Sequence, residues 1–269
     1  MTGQGRAEIK SLLGAHGLKP QRSLGQNFLA DPNLVDRIVR IAGVGPGDRV
    51  VEVGAGTGTL TKALAATGAR VVAYEVDRGL VRLLEDVLAG TEVDLRLDDA
   101  TRVDLSAALG AGPWTMVANL PYNVGTPLVL DVLRHVPEIT RLVVMVQQEV
   151  AERLVAGPGT RSYGVPSIVA ALHADTEQVI TVPPSVFYPM PEVDSAVIVL
   201  TRINPPAGVE RAIDLAGVVF RQRRKMLRRS LATALDDPRA VLAAAGVDPT
   251  ARPEDLPPAA FVRLAETIA

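Results

Sequence analysis

The stretch of this 269-residue chain that carries the most chemistry is Ala118-Asn119-Leu120-Pro121-Tyr122. An asparagine carbonyl and a neighbouring backbone carbonyl can each accept one proton of an exocyclic amine. Pro121 holds φ at about −65° and has no N–H to compete. Tyr122 offers a face on which a nucleobase can stack, worth ~1–3 kcal/mol. The N6 lone pair of adenine is delocalised into the ring and is a poor nucleophile. Acceptors on its protons favour a more tetrahedral nitrogen and stabilise the positive charge that grows on it during attack. With a sulfonium as the carbon donor, in-line displacement needs positioning more than a strong base. His16, His135 and His173 therefore read as surface or capping residues without a catalytic role.

A second constellation is Glu52-Val53-Gly54-Ala55-Gly56-Thr57-Gly58-Thr59. Glycines let the backbone turn tightly and approach a ligand. The spacing is G-x-G-x-G, whereas a dinucleotide fingerprint would place its third glycine at Thr59. That disfavours a bound pyrophosphate and suits an adenosine cofactor without phosphates, of which S-adenosyl-L-methionine is the obvious case. Glu75 lies 21 residues beyond Gly54, against ~20 for a ribose-binding acid. It would repel a 2′-phosphate. Glu52 faces the same region, either as a contact to the methionine ammonium or as support behind such a contact. In Asp98-Asp99-Ala100, either aspartate can accept from the adenine N6 amine.

These residues need a scaffold. Arg49–Val53, Arg70–Tyr74, Val93–Leu97, Trp114–Ala118 and Leu142–Val146 read as strands. Helical spacing falls between them, at 60–66, 80–88 and 128–133. That alternation predicts an α/β, Rossmann-like doubly wound sheet with ligands at the carboxyl ends of the strands. Two more β-rich runs, 176–182 and 195–201, extend the sheet, with antiparallel pairing at one edge. Asn204-Pro205-Pro206-Ala207-Gly208 is a breaker cluster, followed by helical sequence alone. The expected domains are 1–204, with the glycine loop and acceptor residues, and a small all-helical 205–269.

Hydrophobic residues make up 48% and formal net charge is −2, an ordinary globular composition. The absence of cysteine excludes disulfides, thiolate metal sites and a thiol nucleophile. No apolar run approaches the ~18–20 residues of a membrane span. The polar N-terminus does not read as a signal peptide. Together these point to a cytoplasmic, soluble protein. Against the low net charge, Arg221, Arg223, Arg224, Lys225, Arg228 and Arg229 stand out. On a helix, 221, 224, 225 and 228 would share one face, suited to phosphate contacts that depend on salt and not on sequence.

The chain resembles the ribosomal RNA adenine-N6 dimethyltransferase family, most of all the small-subunit (16S) type whose loss gives kasugamycin resistance. The matching residues run from Gln21–Leu29 through the glycine loop, Glu75, Asp99 and Asn119–Tyr122 to 148–154, 191–197 and 221–225. The resemblance implies that Asn27 and Leu29 close over the methionine end, that Gly54 lines it, and that Glu75 holds the ribose and Asp99 the adenine; Glu52, Gly56, Gly58, Ala100 and Asn119 complete the expected cofactor-binding set. It implies that Asn119, the Leu120 and Pro121 backbone and Tyr122 orient the target amine, with Phe187 stacking on the other face of the adenine. The implied reaction is N6,N6-dimethylation of two adjacent adenosines near the 3′ end of 16S rRNA, in an assembling small subunit, by a monomer. Gln148 departs from the pattern, where a basic residue is expected. The rival readings are a large-subunit (23S) adenine dimethyltransferase, a mainly non-catalytic assembly factor, and a nicotinamide oxidoreductase, which the glycine spacing disfavours.

Overall fold

The computed structural model describes residues 4–121 and 124–268. Tyr122 lies outside the described residues. Seven strands form the main sheet: β1 (Arg49–Val53), β2 (Arg70–Tyr74), β3 (Asp94–Arg96), β4 (Trp114–Asn119), β5 (Ile139–Gln147), β6 (Ala174–Val182) and β7 (Ser195–Arg202). Their order across the sheet is β3-β2-β1-β4-β5-β7-β6. The first five are parallel, and β7 runs antiparallel to β5. This is the doubly wound α/β sheet that the sequence predicts, antiparallel pairing included.

The central strands are β-branched because helices cover both of their faces. Val50, Val51, Val143 and Val144 have no exposed surface. The helix Pro32–Ala42 shows how the layers form. Asp31 caps it by accepting from Asn33 N (2.8 Å) and Leu34 N (3.1 Å). Proline occupies the first turn, where no donor is lost. Its apolar stripe, Leu34, Val35, Ile38 and Ala42, is buried, packed against the helix Thr59–Ala65.

The order of the strands reverses between β1 and β4, which are neighbours in the sheet. A crevice opens at such a switch point, beyond the carboxyl ends of the two strands. Here β1 runs into the glycine loop and β4 into Asn119. A two-stranded ribbon, Phe28–Leu29 against Phe187–Tyr188, pairs Leu29 with Phe187.

Chain contacts divide the protein into two units, 1–151 with 177–201, and 152–176 with 202–269. This corrects the single boundary expected after residue 204. The helix Val165–His173 is apolar nearly all round, with Ile168, Val169, Ala170 and Leu172 buried. Such a helix needs a cover on more than one side. The helices Val209–Phe220 and Pro258–Thr267 supply it. In that unit Tyr163, Phe220 and Phe261 form an aromatic row with ring centroids 6.0 and 6.1 Å apart. Among the described residues no helix is long and apolar enough to cross a membrane.

The basic segment is not the continuous helix expected from its spacing. The helix ends at Phe220, residues 221–225 form turns, and helix resumes only over Leu227–Ser230. Like charges three and four residues apart oppose a helix there. Of the side expected to be buried, Leu227 is fully buried and Phe220 half-buried.

Gly58 begins the helix Thr59–Ala65 with φ +75°. A Cβ there would stand 3.0 Å from Val87 Cγ1 and 3.2 Å from Leu84 Cδ2. Gly58 therefore packs between two helices, and it is not among the residues that line the cleft described below. Gly58→Ala is expected to destabilise the fold by ~2–4 kcal/mol, combining left-handed strain with overpacking, while affinity for S-adenosylmethionine stays unchanged. Denaturant unfolding and calorimetry check the two halves of that expectation.

Candidate functional site

The end of β2 anchors the glycine loop. Gly54 N and Ala55 N both donate to the Tyr74 carbonyl, at 2.9 and 3.1 Å. Gly56 N donates to Glu75 Oε2 at 2.8 Å, and Asp77 N donates to Glu75 Oε1 at 2.8 Å. Burial pushes the Glu75 carboxyl above its ordinary range, while these backbone donors pull it back. Gly56 has φ +56°, and a Cβ on it would lie 3.1 Å from the Phe28 ring. The loop and the Gln21–Leu29 segment thus meet face to face across a cleft of about 250 Å³.

Of the residues singled out from the sequence, Asn27, Leu29, Glu52, Gly54, Gly56, Glu75, Asp99, Ala100, Asn119 and Pro121 line this one cleft. Glu52 is 1% exposed, and its Oε2 has no hydrogen-bond partner. Burial pushes Glu52 up to about 8, against the pull of the neighbouring Thr61 hydroxyl and with the charge of Glu75 adding to it. A buried carboxyl beside a cleft, with one oxygen unpartnered, is suited to receive a cation or donor from a ligand. The ammonium of S-adenosylmethionine fits that need.

Beside the N-terminus of the helix Thr59–Ala65, a buried side chain from the N-terminal segment bonds the glycine loop. Gln4 is 7% exposed; its Nε2 donates to the Thr57 carbonyl at 3.1 Å, and its Oε1 accepts from Thr59 Oγ1 at 2.7 Å.

At the far end, both Asp98 and Asp99 line the cleft. Asp99 Oδ1 accepts from Thr101 N (3.0 Å) and Thr101 Oγ1 (2.6 Å), and its Oδ2 lies 3.3 Å from Arg102 Nε. The Thr101 hydroxyl holds its carboxyl below the usual range. Asp98 accepts from Asp99 N at 2.8 Å. Val76, 50% exposed, faces the same cleft beside them.

Asn119 Nδ2 donates to the Asn27 carbonyl at 3.0 Å. That bond settles which end of the amide is which and leaves Oδ1 as the acceptor. Leu120 is buried, its N–H donating to the Met145 carbonyl at 3.0 Å. Phe187 does not reach the cleft. It is 1% exposed, in the core with Leu29, Val35 and Val182. Side chains alternate along a strand, so its pairing opposite Leu29 turns the ring inward, and Tyr188 is the partly exposed neighbour, with Lys10 Nζ 5.2 Å from its ring. The stacking role expected of Phe187 is corrected accordingly.

The histidines stay out of the cleft. His16 pairs with Asp86 (3.4 Å), His135 with Asp131 (2.8 Å), and the buried His173 bonds Val169 O at 2.9 Å. Gln26, Val76 and Thr101 line the cleft but were not found from the sequence. Only Gln26 had a local signal, lying inside the Gln21–Leu29 motif.

In the second unit, Arg221, Arg224, Lys225 and Arg161 border a broad depression of about 1030 Å³. Arg223 is tied down. Its Nε donates to Glu254 Oε2 at 2.6 Å and its Nη2 to Thr160 O at 3.1 Å. Arg228 is half-buried, its charge felt by Asp248, whereas Arg229 is exposed.

The profile of a family described as ribosomal RNA adenine dimethylase matches residues 17–269. A Kineococcus radiotolerans protein named Ribosomal RNA small subunit methyltransferase A is 45% identical over 269 residues, spanning 96% of this chain and 89% of its own. A protein of the same name from Leifsonia xyli is 45% identical over 274 residues, spanning 97% of each chain. Among solved structures, the 23S rRNA methyltransferase ErmE aligns with TM-score 0.69 at 28% identity, over 90% of this chain and 99% of its own. A dimethyladenosine transferase from Plasmodium falciparum aligns with TM-score 0.76 at 24% identity, over 88% and 95%, a likeness of fold. With a profile match over nearly the whole chain and relatives at this identity, the chain belongs to the ribosomal RNA adenine dimethylase family.

Proposed function

We propose that this enzyme uses S-adenosyl-L-methionine to N6,N6-dimethylate two adjacent adenosines near the 3′ end of 16S rRNA, in the immature small subunit, as a cytoplasmic monomer. The observation that carries the reading is the Asn119–Asn27 bond. It leaves Asn119 Oδ1 as an acceptor in the same cleft as Glu52, Gly54 and Glu75. When bound, the cofactor supplies a methyl group on a sulfonium. Glu75 accepts from the ribose hydroxyls, Glu52 holds the ammonium, and Asp99 or Asp98 takes the adenine amine beside Val76. Asn119 Oδ1 and the Leu120 carbonyl draw on the two amine protons of the target base, and Tyr122 stacks on its ring. The small-subunit reading over the 23S alternative rests on relatives at 45% identity against ErmE at 28%.

Mass spectrometry of 16S rRNA from unmethylated immature subunits, after incubation with protein and S-adenosylmethionine, tests the reading. Two dimethyladenosines near the 3′ end are expected. Methylation of 23S rRNA alone, or subunit binding without methylation, would overturn it.

The depression in the second unit is assigned to rRNA phosphates. Replacing Arg221 and Arg224 by glutamine should lower the slope of log affinity against log salt by ~1–2. Arg223→Gln should leave that slope unchanged and lower thermal stability, because its charge already serves Glu254.

A further inference from the structure

A run of hydrogen bonds links the cofactor end of the cleft to Asn119 through residues 21–27. Asp77 is 8% exposed. Its Oδ2 accepts from Gln21 Nε2 at 2.8 Å and from Gln26 Nε2 at 2.7 Å. Its Oδ1 accepts from Gly79 N at 2.9 Å. The orientation of the Gln26 amide is fixed, because Gln26 Oε1 accepts from Gln21 N at 2.8 Å. Gln26 N donates back to Gln21 O at 3.3 Å, closing a compact turn over residues 21–26. The next residue is Asn27, whose carbonyl takes Asn119 Nδ2 at 3.0 Å. In the other direction, Asp77 N bonds Glu75 Oε1, and Glu75 Oε2 bonds Gly56 N, each at 2.8 Å.

The two ends of an asparagine amide are nearly the same shape and opposite in hydrogen-bonding sense. A flipped Asn119 would present N–H groups to an incoming amine and repel its protons. The Asn27 carbonyl prevents the flip, and it can do so only while its segment stays in place. We infer that Asp77 is a positioning residue: a buried carboxylate latch that acts through Gln26 to hold the Asn27 carbonyl, keeping Asn119 Oδ1 turned toward the substrate amine. The inference rests on the role of Asn119 proposed above. It also couples the two halves of the site, since the same aspartate braces Glu75.

The opposing view is that residues 21–29 only roof the cofactor. That view predicts a change in cofactor affinity and none in the rate of transfer. Gln26→Glu sets two carboxylates against each other and opens the latch. Adding Asp77→Asn to Gln26→Glu remakes that bond with donor and acceptor exchanged, the Gln21 side-chain amide turning over so that its Oε1 accepts from the new amide in place of donating to Asp77 Oδ2. Three quantities are read: hydrogen exchange of residues 21–29 in the cofactor-free protein, the dissociation constant of S-adenosylmethionine, and the single-turnover rate at saturating cofactor and immature subunit.

Gln26→Glu should speed exchange over 21–29 and slow transfer by at least ~10-fold, since small misplacements are costly in a positioned reaction. The paired variant should recover both to within about threefold. If Gln26→Glu does not fold, Gln26→Met removes the donor without adding charge and should slow transfer similarly. An unchanged rate at saturating cofactor, or a pair no better than Gln26→Glu alone, overturns the latch. A wild-type protein that transfers no methyl group overturns the proposed function instead, and the exchange measurement still reads the latch.

Discussion

Asn119→Ala is expected to lower the single-turnover rate of methyl transfer by ~10²–10³, the usual effect of deleting one group aimed at developing charge. Cofactor affinity should stay within about threefold, because Asn119 contributes an acceptor to the amine and not the grip on the ribose or ammonium. The substitution also removes the donor from the Asn27 carbonyl, at a cost of ~1 kcal/mol. That is small beside a folding free energy of ~5–15 kcal/mol. A thermal midpoint that drops by more than a few degrees would mean that the loss is structural. Subunit binding should be retained, since the basic residues lie elsewhere in the chain. The combination of retained cofactor, retained subunit and lost transfer separates an enzyme from an assembly factor that keeps a vestigial pocket. If cofactor affinity falls in step with the rate, Asn119 is part of the cofactor site and its assigned role is wrong.

Much of this site was legible because its parts are short and local. The strands β1 (Arg-Val-Val-Glu-Val), β2 (Arg-Val-Val-Ala-Tyr) and β4 (Trp-Thr-Met-Val-Ala-Asn) are short, mostly apolar runs, followed or closed by residues that do not continue them: glycine, a carboxylate, or Asn-Leu-Pro. Hydrophobic runs of that length between helical patterns fix a parallel sheet, and a parallel sheet puts those ends on one side. The approximate 20-residue spacing from glycine loop to acid is one turn of the same βαβ unit. Hence ten of the residues expected in the site meet in a single cleft.

What failed was non-local. Phe187 looks like a stacking residue in sequence, yet a two-residue ribbon with Leu29 turns it into the core, and nothing within 183–191 encodes that register. Gly58 belongs to the motif by spacing, but Leu84 and Val87, in the next crossover helix, claim the space beside it. The helix 165–173 sits between β-rich runs in sequence, yet it is covered by helices from beyond residue 208. The basic segment has helical spacing, but six cations in nine positions oppose a helix, and Glu254 takes one of them. Gln4 and Asp77 act through partners more than 50 positions away, 55 for Gln4 with Thr59 and 56 for Asp77 with Gln21.

Glu52→Gln is expected to move stability and cofactor affinity in opposite directions. In the free protein burial raises the Glu52 carboxyl to about 8 from an ordinary value of 4.5. The folded state therefore holds a proton that the unfolded chain has released, and stability falls as pH rises from about 4.5 toward 8, by up to ~1.4 kcal/mol per unit. Glutamine mimics the protonated form at every pH, so the variant should lose this slope and melt higher than wild type at pH 8. Cofactor binding runs the other way. An ammonium against Glu52 needs the carboxylate, and binding below pH 8 must expel its proton. Wild-type affinity should thus improve from pH 6 to pH 8, with proton release measurable by calorimetry in buffers of different ionisation enthalpy. Losing a charge-assisted bond of ~1.5–3 kcal/mol should weaken binding by ~10–100-fold in the variant and abolish the proton release. Glu75, with its backbone donors intact, stays in place as the ribose acceptor, so adenosine alone should bind both proteins equally. An unchanged affinity for S-adenosylmethionine in Glu52→Gln would place the ammonium elsewhere and leave the orphaned oxygen of Glu52 without its ligand.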